Sequence, residues 1–278
     1  MVSLIAHWLL EQGERPAILS RGYGRRLRND GVVVVSDGRR LLTDVDHAGD
    51  EPFMLARRLP DAVVVVSDDR FLAGTLAERQ LGATVHLLDD GFQHIQLARD
   101  VDILMTRPGE ISSGRVLPMG RLRESIGAAA RADVVVVLES DLAIARAEAW
   151  TLGVSQAIAG RKALAGAVGD ASVVAVAGIA RPDEFFEMLR AAGYRVADAM
   201  GFADHHRFTQ ADVNRIYAAV QRSSAARVVT TEKDFVRLER FSPLPFECQA
   251  IALTLSLEGW DALATLLAGA IARRREAA

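Results

Sequence analysis

The sequence predicts an α/β fold, with a doubly wound, mostly parallel sheet followed by a second, smaller α/β domain. Short, continuous, valine-rich runs recur along the first half of the chain, and helix-like patterns separate several of them. A second series of strand and helix patterns begins after about residue 150. Runs of this kind are typical of parallel strands that are buried on both faces. The alternative is a set of separate β-hairpins.

The first half of the chain, residues 1–150, is assigned to the larger domain. Its predicted strands are PAILS (16–20), GVVVVSD (31–37), DAVVVVSDD (61–69), ATVHLLDD (83–90), VDILM (101–105) and ADVVVVLE (132–139). Helical patterns cover residues 2–12, 51–59 and 70–81, and the first of these is amphipathic. Residues 107–123 are rich in Gly, Pro, Ser and Arg, which indicates an ordered functional loop.

Residues 151–278 are assigned to the smaller domain, with a boundary between residues 150 and 170. Its predicted strands are SVVAVAG (172–178), a strand near Tyr194, RVVTT (227–231) and ECQAIALTL (247–255). Helices are predicted from about Pro182 to Ala192 and from about Thr209. The tail GWDALATLLAGAIARRR (259–275) is predicted to form an amphipathic closing helix.

The composition narrows the classes of function. Half of the 278 residues are apolar, which is enough for a sizeable core. A formal net charge of −3 provides no general attraction to nucleic acid. Cys248 is the only cysteine, which excludes an internal disulfide and a multi-cysteine zinc site, so metal chemistry would need carboxylates. The apolar run in residues 1–12 is too short to span a membrane and does not have the pattern of a signal peptide.

Two adjacent carboxylates, Asp89 and Asp90, end one of the predicted strands. Ligands of open parallel sheets bind beyond the carboxyl ends of the strands. An acid in this position can hold Mg²⁺ directly or through water, as in the Walker B element of nucleotide-binding folds. The alternative is that both acids belong to a turn that ends at Gly91, since Asp-Gly is a common turn signal.

Two further stretches in the first half carry polar side chains. LSRGYG (19–24) offers Ser20 and Arg21 to a phosphate, or it is an ordinary glycine turn on a basic edge. HAGDEPFML (47–55) places Asp50 and Glu51 just before a helical pattern, so one acid is expected to be its N-cap. A carboxylate at Asp50 that faces a cleft would instead accept a proton from a hydroxyl nucleophile.

Two stretches in the second half also have either a structural or a functional interpretation. FADHHRFT (202–209) places His205 and His206 ahead of a helix that Thr209 is expected to cap. TTEKDFVRL (230–238) follows a strand and opens a helix, so Lys233 either faces a cleft or belongs to a solvated charged turn.

Taken in order, SRGYG, AGDEP, LLDDGFQH, LPMGRLRE, DHH and TTEKD resemble the motifs of the tetraacyldisaccharide 4′-kinases, the lipid A kinases of Gram-negative bacteria. The resemblance extends over residues 20–234 and so covers most of the chain. It implies a P-loop-kinase-like fold whose smaller domain closes over the active-site cleft. It also implies ATP- and Mg²⁺-dependent transfer of the γ-phosphoryl group to the 4′-hydroxyl of an acylated glucosamine disaccharide 1-phosphate, giving lipid IVA. The enzyme would lie peripherally on the cytoplasmic side of the inner membrane.

The resemblance also implies roles for individual residues. Asp50 would be the catalytic base, assisted by His205. The implied metal ligands are Asp89, Asp90 and Glu124. The residues expected to contact the nucleotide or its phosphates are Ser20, Arg21, Asp89, Asp90, Gln93, His94, Arg121 and Arg123.

The family carries a P-loop, G-x-x-x-x-G-K-[ST], before its first helix, and no such sequence occurs in the 278 residues. A P-loop supplies backbone N–H groups, a lysine and a hydroxyl to the phosphates and Mg²⁺. We expect either that the true start of the gene lies upstream of Met1, which the intact downstream motifs favour, or that the chain is a shortened, inactive relative. A P-loop-type kinase of a soluble substrate and a non-catalytic lipid-binding protein are the rival interpretations.

Overall fold

The structure is a computed structural model that describes residues 1–27, 31–112, 114–166 and 169–277. The chain divides into two compact units. The first comprises Met1–Asp90 and Leu164–Leu253, and the second comprises Gly91–Ala163 and Thr254–Ala278. Each unit therefore contains two separate stretches of the chain. This division differs from the predicted single boundary between residues 150 and 170, because the chain leaves the first unit at Gly91 and returns to it at Leu164.

The elements are numbered in chain order. Residues 1–90 form α1 (Val2–Glu11), β1 (Pro16–Ser20), β2 (Val33–Asp37), α2 (Val45–Ala48), α3 (Asp50–Arg58), β3 (Val63–Val66), α4 (Arg70–Leu81) and β4 (Val85–Leu88). Residues 91–164 form β5 (Ile103–Thr106), a 3₁₀ helix (Ile126–Arg131), β6 (Val134–Leu138), α5 (Leu142–Thr151) and β7 (Gln156–Leu164). The rest forms β8 (Ser172–Ala177), α6 (Pro182–Ala191), β9 (Arg195–Gly201), α7 (Gln210–Ser223), β10 (Arg227–Thr231), α8 (Glu232–Leu238), a 3₁₀ helix (Glu239–Phe241), β11 (Cys248–Ile251), β12 (Leu253–Glu258) and α9 (Trp260–Ala277).

The first sheet of the first unit has the strand order β2-β3-β1-β4. Strands β3 and β4 run parallel to β1. The four valines of β3 are fully buried and alternate between two core clusters, one shared with α3 and the other with α4. The prediction that residues 31–37 form a parallel strand is wrong, because β2 pairs antiparallel with β3. A run of valines indicates burial, but it does not encode the direction of an edge strand.

The second sheet of the first unit has the order β11-β10-β8-β9, and all of its pairs are parallel. Helix α6 packs Phe185 and Leu189 on one face, and α7 packs Val213 and Ile216 on the other. The predicted start of α7 is confirmed, since Thr209 forms a capping box with Asp212.

The second unit contains one sheet, in the order β12-β7-β6-β5. Strands β5, β6 and β7 are parallel, and α5 packs against them in an alanine- and valine-rich core. The prediction that β5 and β6 continue the sheet of the earlier valine runs is wrong. The predicted strand at residues 247–255 is also two strands, β11 and β12, which belong to different sheets. A hydrophobic run predicts a strand but not its partner.

Candidate active site

Asp50 is the first residue of α3, and Gly49 precedes it as the N-cap without a side-chain hydrogen bond. The expectation that Asp50 or Glu51 caps this helix is therefore wrong, because both acids lie within its first turn. Carboxylates in the first turn interact favourably with the helix dipole. The Asp50 side chain is 14% exposed, so it is sheltered from bulk water without being sealed off.

The guanidinium of Arg237, on α8, holds the Asp50 carboxylate. Its Nε and Nη2 lie 2.6 and 2.5 Å from Asp50 Oδ2. Its Nη1 donates to the carbonyl oxygen of Gly178 at 3.2 Å and to Asp234 Oδ1 at 3.0 Å. Within the described ranges, the hydrogen bonds and ion pairs of the Asp50 carboxylate fall on Oδ2. Oδ1 is therefore the oxygen that is available to accept a proton.

His205 lies beside the same carboxylate oxygen. Its Nδ1 is 3.5 Å from Asp50 Oδ2, and the Tyr23 ring meets the imidazole edge-on with 5.0 Å between centroids. The φ angle of His205 is 56°, in the left-handed region that most residues avoid. Backbone strain of this kind concentrates at functional sites. His206 instead approaches Asp212 Oδ2 through Nε2 at 3.1 Å, so the structure brings His205 rather than His206 to Asp50.

Lys233 completes a cluster of charged groups around Asp50. Its Nζ lies 2.8 Å from Glu51 Oε1, 3.4 Å from Asp204 Oδ1 and 3.2 Å from His205 Nε2. The side chain is 13% exposed. Lys233 and Arg237 are four residues apart on α8, so the two cations project from neighbouring turns of one helix face. We call Asp50, Glu51, His205, Lys233 and Arg237 the acid–base cluster.

The SRGYG and AGDEP motifs pack against each other through their glycines. Gly22 has a φ of 66°, and a Cβ there would lie 2.5 Å from Val66 Cγ1 and 2.7 Å from the Ala48 oxygen. Gly49 has a φ of 87°, and its Cβ would lie 3.0 Å from the Tyr23 oxygen. Both positions require glycine for conformation and space. The close approach sets Tyr23 beside the acid–base cluster.

Ser20, Asp89 and Asp90 lie at the carboxyl ends of β1 and β4, where the sequence predicts ligand contacts. Ser20 Oγ donates to Asp89 Oδ2 at 3.4 Å. Burial raises the pKa of Asp89, the nearby Glu51 and Asp90 carboxylates raise it further, and Ser20 and Arg70 oppose the rise. Asp90 also has a φ of 50°, so the acids form the turn that was the alternative interpretation. Carboxylates crowded in this way favour a cation among them.

Sequence reasoning missed Arg70, the first residue of α4, which is 2% exposed. Its Nη1 donates to the Ser67 carbonyl oxygen, and its Nε has no hydrogen-bond partner in the part of the chain that is described. Burial lowers the pKa of Arg70 and the nearby Arg21 guanidinium lowers it further, while Asp89 and other carboxylates oppose this. A signal for Arg70 existed, because it follows a buried strand that ends at the same sheet edge as Asp89.

The second unit holds the remaining predicted residues. Arg123 Nη1 donates to Gln93 Oε1 at 3.3 Å, which joins two of the predicted nucleotide contacts. The carbonyl oxygen of His94 accepts a hydrogen bond from Arg99, which fixes the backbone beside Gln93. Arg121 is exposed. These residues therefore present polar groups at the surface of this unit.

Glu124, a predicted metal ligand, is paired with Arg131. Arg131 Nη2 lies 3.0 and 2.9 Å from the two carboxylate oxygens of Glu124, and its guanidinium stacks over the Phe92 ring at 5.0 Å. Apart from the gaps in the described ranges, no group of three or more His, Cys, Asp or Glu side chains has a metal-binding arrangement.

In the same described ranges, we find no helix with the length and apolar content needed to cross a bilayer.

Sequence reasoning also missed that Arg237 contacts Asp50 and that Lys233 contacts Glu51 and His205. The stretch TTEKDFVRL marked the start of α8 correctly, with Thr231 accepting from the Asp234 N–H as the N-cap. Its charge pattern did not reveal that Lys233 and Arg237 reach α3, because no local spacing links residues so distant in the chain.

The chain is similar to known proteins over most of its length. Residues 1–272 match the family model for LpxK, the tetraacyldisaccharide-1-P 4′-kinase. A tetraacyldisaccharide 4′-kinase of Geobacter metallireducens is 40% identical over 249 residues, covering 86% of this chain and 73% of that protein. The Nitrobacter winogradskyi protein of the same name is 39% identical over 284 residues, covering 99% of this chain and 81% of that protein.

A solved structure shows the same fold. The crystal structure of LpxK from Aquifex aeolicus in complex with ATP has a TM-score of 0.73 and 27% sequence identity, and the match covers 97% of this chain and 84% of that chain. The predicted α/β, P-loop-kinase-like fold is thereby confirmed. The chain belongs to the tetraacyldisaccharide 4′-kinase family.

Proposed function

We propose that this protein transfers the γ-phosphoryl group of ATP to the 4′-hydroxyl of a tetraacyldisaccharide 1-phosphate, giving lipid IVA. Family membership supports this activity. The observation that carries the chemistry is the Asp50 carboxylate, which Arg237 holds through Oδ2 while Oδ1 is left for a proton. Phosphoryl transfer asks mainly for positioning, charge neutralisation and a carboxylate that receives the hydroxyl proton.

Asp50 is the proposed catalytic base. A 4′-hydroxyl placed against Oδ1 gives its proton to that oxygen while the hydroxyl oxygen bonds to the γ-phosphorus and the bond to the ADP oxygen breaks. General bases typically contribute about 10²–10⁴-fold to a rate. His205, beside Oδ2, orients the carboxylate as it gains the proton.

Ser20, Arg21 and Arg70 are the proposed phosphate contacts at the edge of the first sheet. Two guanidinium groups near each other, one with a buried Nε that lacks a partner among the described residues, fit an anion such as a phosphate. The crowded carboxylates of Asp89 and Asp90 fit Mg²⁺, which prefers oxygen ligands and keeps several waters. When bound, Mg²⁺ neutralises charge on the phosphates.

The polar residues of the second unit complete the proposal. We assign Gln93, His94, Arg121 and Arg123 to the nucleotide and its phosphates, and Glu124 to the metal. The hydrogen bond between Arg123 and Gln93 supports a shared role for these two side chains.

The proposed setting is the cytoplasmic side of the inner membrane, with the protein bound peripherally. An acceptor with several acyl chains partitions into a bilayer, so the enzyme must meet it at the membrane surface. Flotation of the purified protein with vesicles that contain the acylated acceptor tests this setting. Recovery of the protein only in the bottom fraction, which contains no vesicles, would contradict this setting.

A kinase assay with radiolabelled ATP tests the activity. The acceptors are a tetraacylated disaccharide 1-phosphate and its deacylated, soluble counterpart. We expect label on the acylated acceptor, and at least about 100-fold slower labelling with an Asp50→Asn control. Label only on the soluble acceptor would overturn the lipid assignment. Since the P-loop sequence does not occur in the 278 residues, the assay compares this chain with a fusion in which a P-loop segment is placed before Met1.

A further inference from the structure

The two ring nitrogens of His205 have different neighbours. Nε2 lies 3.2 Å from Lys233 Nζ, and Nδ1 lies 3.5 Å from Asp50 Oδ2. A neutral histidine carries one proton, and the neighbours of its ring decide which nitrogen holds it. An ammonium group has donors only, so Nε2 must be the acceptor in its contact with Lys233. The proton then lies on Nδ1, beside the carboxylate.

We propose that Lys233 is a positioning residue that holds neutral His205 in the tautomer protonated at Nδ1, so that the imidazole donates to Asp50. The tautomer is the one that gives the Lys233 ammonium an acceptor at Nε2. Its role in orienting the base rests on the proposed kinase function.

Arg237 offers a competing arrangement, because its Nη2 lies 3.3 Å from His205 Nδ1 and a guanidinium also has donors only. Only one nitrogen of a neutral ring can accept. Arg237 Nη2 already has Asp50 Oδ2 as an acceptor at 2.5 Å, and the same oxygen lies 3.5 Å from Nδ1, at the outer limit for an acceptor of Nδ1–H. A proton on Nε2 would instead face the Lys233 ammonium, with Asp204 Oδ1 3.9 Å away. In the Nδ1–H tautomer the Lys233 ammonium has Nε2 as an acceptor, and Arg237 Nη2 keeps Asp50 Oδ2 as its acceptor.

Lys233 is itself held in place, which a positioning role requires. Glu51 Oε1 accepts from its Nζ at 2.8 Å, and Asp204 Oδ1 lies at 3.4 Å. Its backbone belongs to the first turn of α8, which Thr231 caps. Two carboxylates therefore hold the ammonium next to Nε2.

Nuclear magnetic resonance of the full 278-residue chain tests the tautomer without any need for activity. In a sample labelled with ¹⁵N-histidine, the nitrogen shifts show which ring atom is protonated, and the His205 signal is identified by its loss in His205→Gln. Spectra are recorded at about pH 9, where an ordinary histidine is neutral. We expect Nδ1–H in the native chain. Lys233→Met should lower the ratio of Nδ1–H to Nε2–H about fivefold, as loss of one hydrogen bond predicts.

Two variants and one internal signal serve as controls. Lys233→Arg keeps a donor at Nε2 and should retain the native ratio. Arg240→Met removes a cation just beyond α8 that pairs with Asp46, and it should leave the ratio unchanged. His206, whose Nε2 faces the Asp212 carboxylate, should give the opposite tautomer in the same spectrum.

The kinase assay supplies the functional readout. Lys233→Met should lower kcat roughly tenfold or more, as loss of a hydrogen bond between a charged group and the base system predicts, with the KM for ATP little changed. An Nε2–H signal in the native chain, or an unchanged ratio in Lys233→Met, would overturn the tautomer. A changed ratio with unchanged kcat would overturn the positioning role. Absence of kinase activity in every preparation would count against the proposed function alone, because the spectra test the effect of Lys233 on the His205 tautomer without any activity.

Discussion

Arg237 and Asp50, 187 positions apart in the chain, form an ion pair in which two guanidinium nitrogens approach one carboxylate oxygen, with Nε at 2.6 Å and Nη2 at 2.5 Å. The same guanidinium also bonds Asp234, whose side chain is fully buried. One cation therefore serves two carboxylates, and it ties α8 to α3.

Replacing Arg237 with Gln should destabilise the protein by about 3–5 kcal/mol, because it leaves a buried carboxylate without its cation. Urea unfolding measures the free-energy change. The matched control is Arg240→Gln. Arg240 lies 3.4 Å from Asp46, and both side chains are partly exposed, so this ion pair should contribute less than about 1 kcal/mol. Equal decreases in the free energy of unfolding would show that the buried ion pair contributes no more than the partly exposed one.

Asp50→Asn should lower kcat by about 10²–10⁴-fold in the active protein, because the amide keeps the shape of the side chain but cannot take the hydroxyl proton. The KM for ATP should change little, since the base acts on the acceptor. His205→Ala should reduce kcat by a smaller factor. Steady-state kinetics separates the two parameters, and Asp46→Asn on the neighbouring helix α2 is the control. A kcat equal to that of the native protein would remove Asp50 from the mechanism.

Arg70→Met should weaken the binding of Mg·ATP about tenfold or more, as loss of a charged contact to phosphate predicts. Titration calorimetry measures the dissociation constant. Binding by the 278-residue chain should itself be weaker than micromolar, because the P-loop sequence does not occur in it. Arg79→Met, an exposed arginine of the same helix, is the control. Equal affinities for the Arg70 and Arg79 variants would exclude Arg70 from the nucleotide site.

Gly22→Ala should cost more stability than Gly13→Ala. Both glycines have positive φ angles, 66° and 77°, so each alanine is strained by about 1–2 kcal/mol. Only at Gly22 would the new Cβ lie 2.5 Å from Val66 Cγ1, which adds an overpacking cost of about 1–3 kcal/mol, whereas nothing lies within 4 Å at Gly13. Urea midpoints compare the two variants. Similar midpoints would mean that the SRGYG stretch shifts to absorb the methyl group.

Cys248 should react slowly with a disulfide reagent in the native protein. Burial raises the pKa of its thiol to about 12, so the reactive thiolate is scarce near neutral pH. An unfolded cysteine has a pKa of about 8.5, and the native reaction at pH 8 should therefore be about 10³-fold slower than the reaction in concentrated urea. The rate should rise about tenfold for each unit of pH below 11. A native rate within a factor of ten of the unfolded rate would contradict the burial of the thiol.

Elements with strong local signals were predicted well. Helix α4 has the predicted bounds, residues 70–81, because Asp69 caps its start and Gly82 ends it in the left-handed conformation. The start of α7 agrees because Thr209 caps it, and the start of α6 agrees because Pro182 occupies the first helical position. Such signals depend on residues within one or two helical turns, so the chain alone reveals them.

Long-range relationships were predicted less well. The sequence placed β5 and β6 in the same sheet as β3, but they pair with β7 and β12 in the second unit. The antiparallel direction of β2 was also missed. Valine runs encode burial on both faces, and several pairings of the same strands satisfy that requirement equally.

The sequence by itself determined the family, the positions of its motifs and the nomination of Asp50, His205, Asp89 and Asp90, because these depend on residue types in a fixed order. Only the tertiary structure decided that His205 rather than His206 meets Asp50, and that Arg237 and Lys233 hold the pair. The physical reason is that a side chain's partner depends on how α8 packs against α3, and no local spacing records that contact. Within the first unit, packing brings together groups that the chain separates by more than 150 residues.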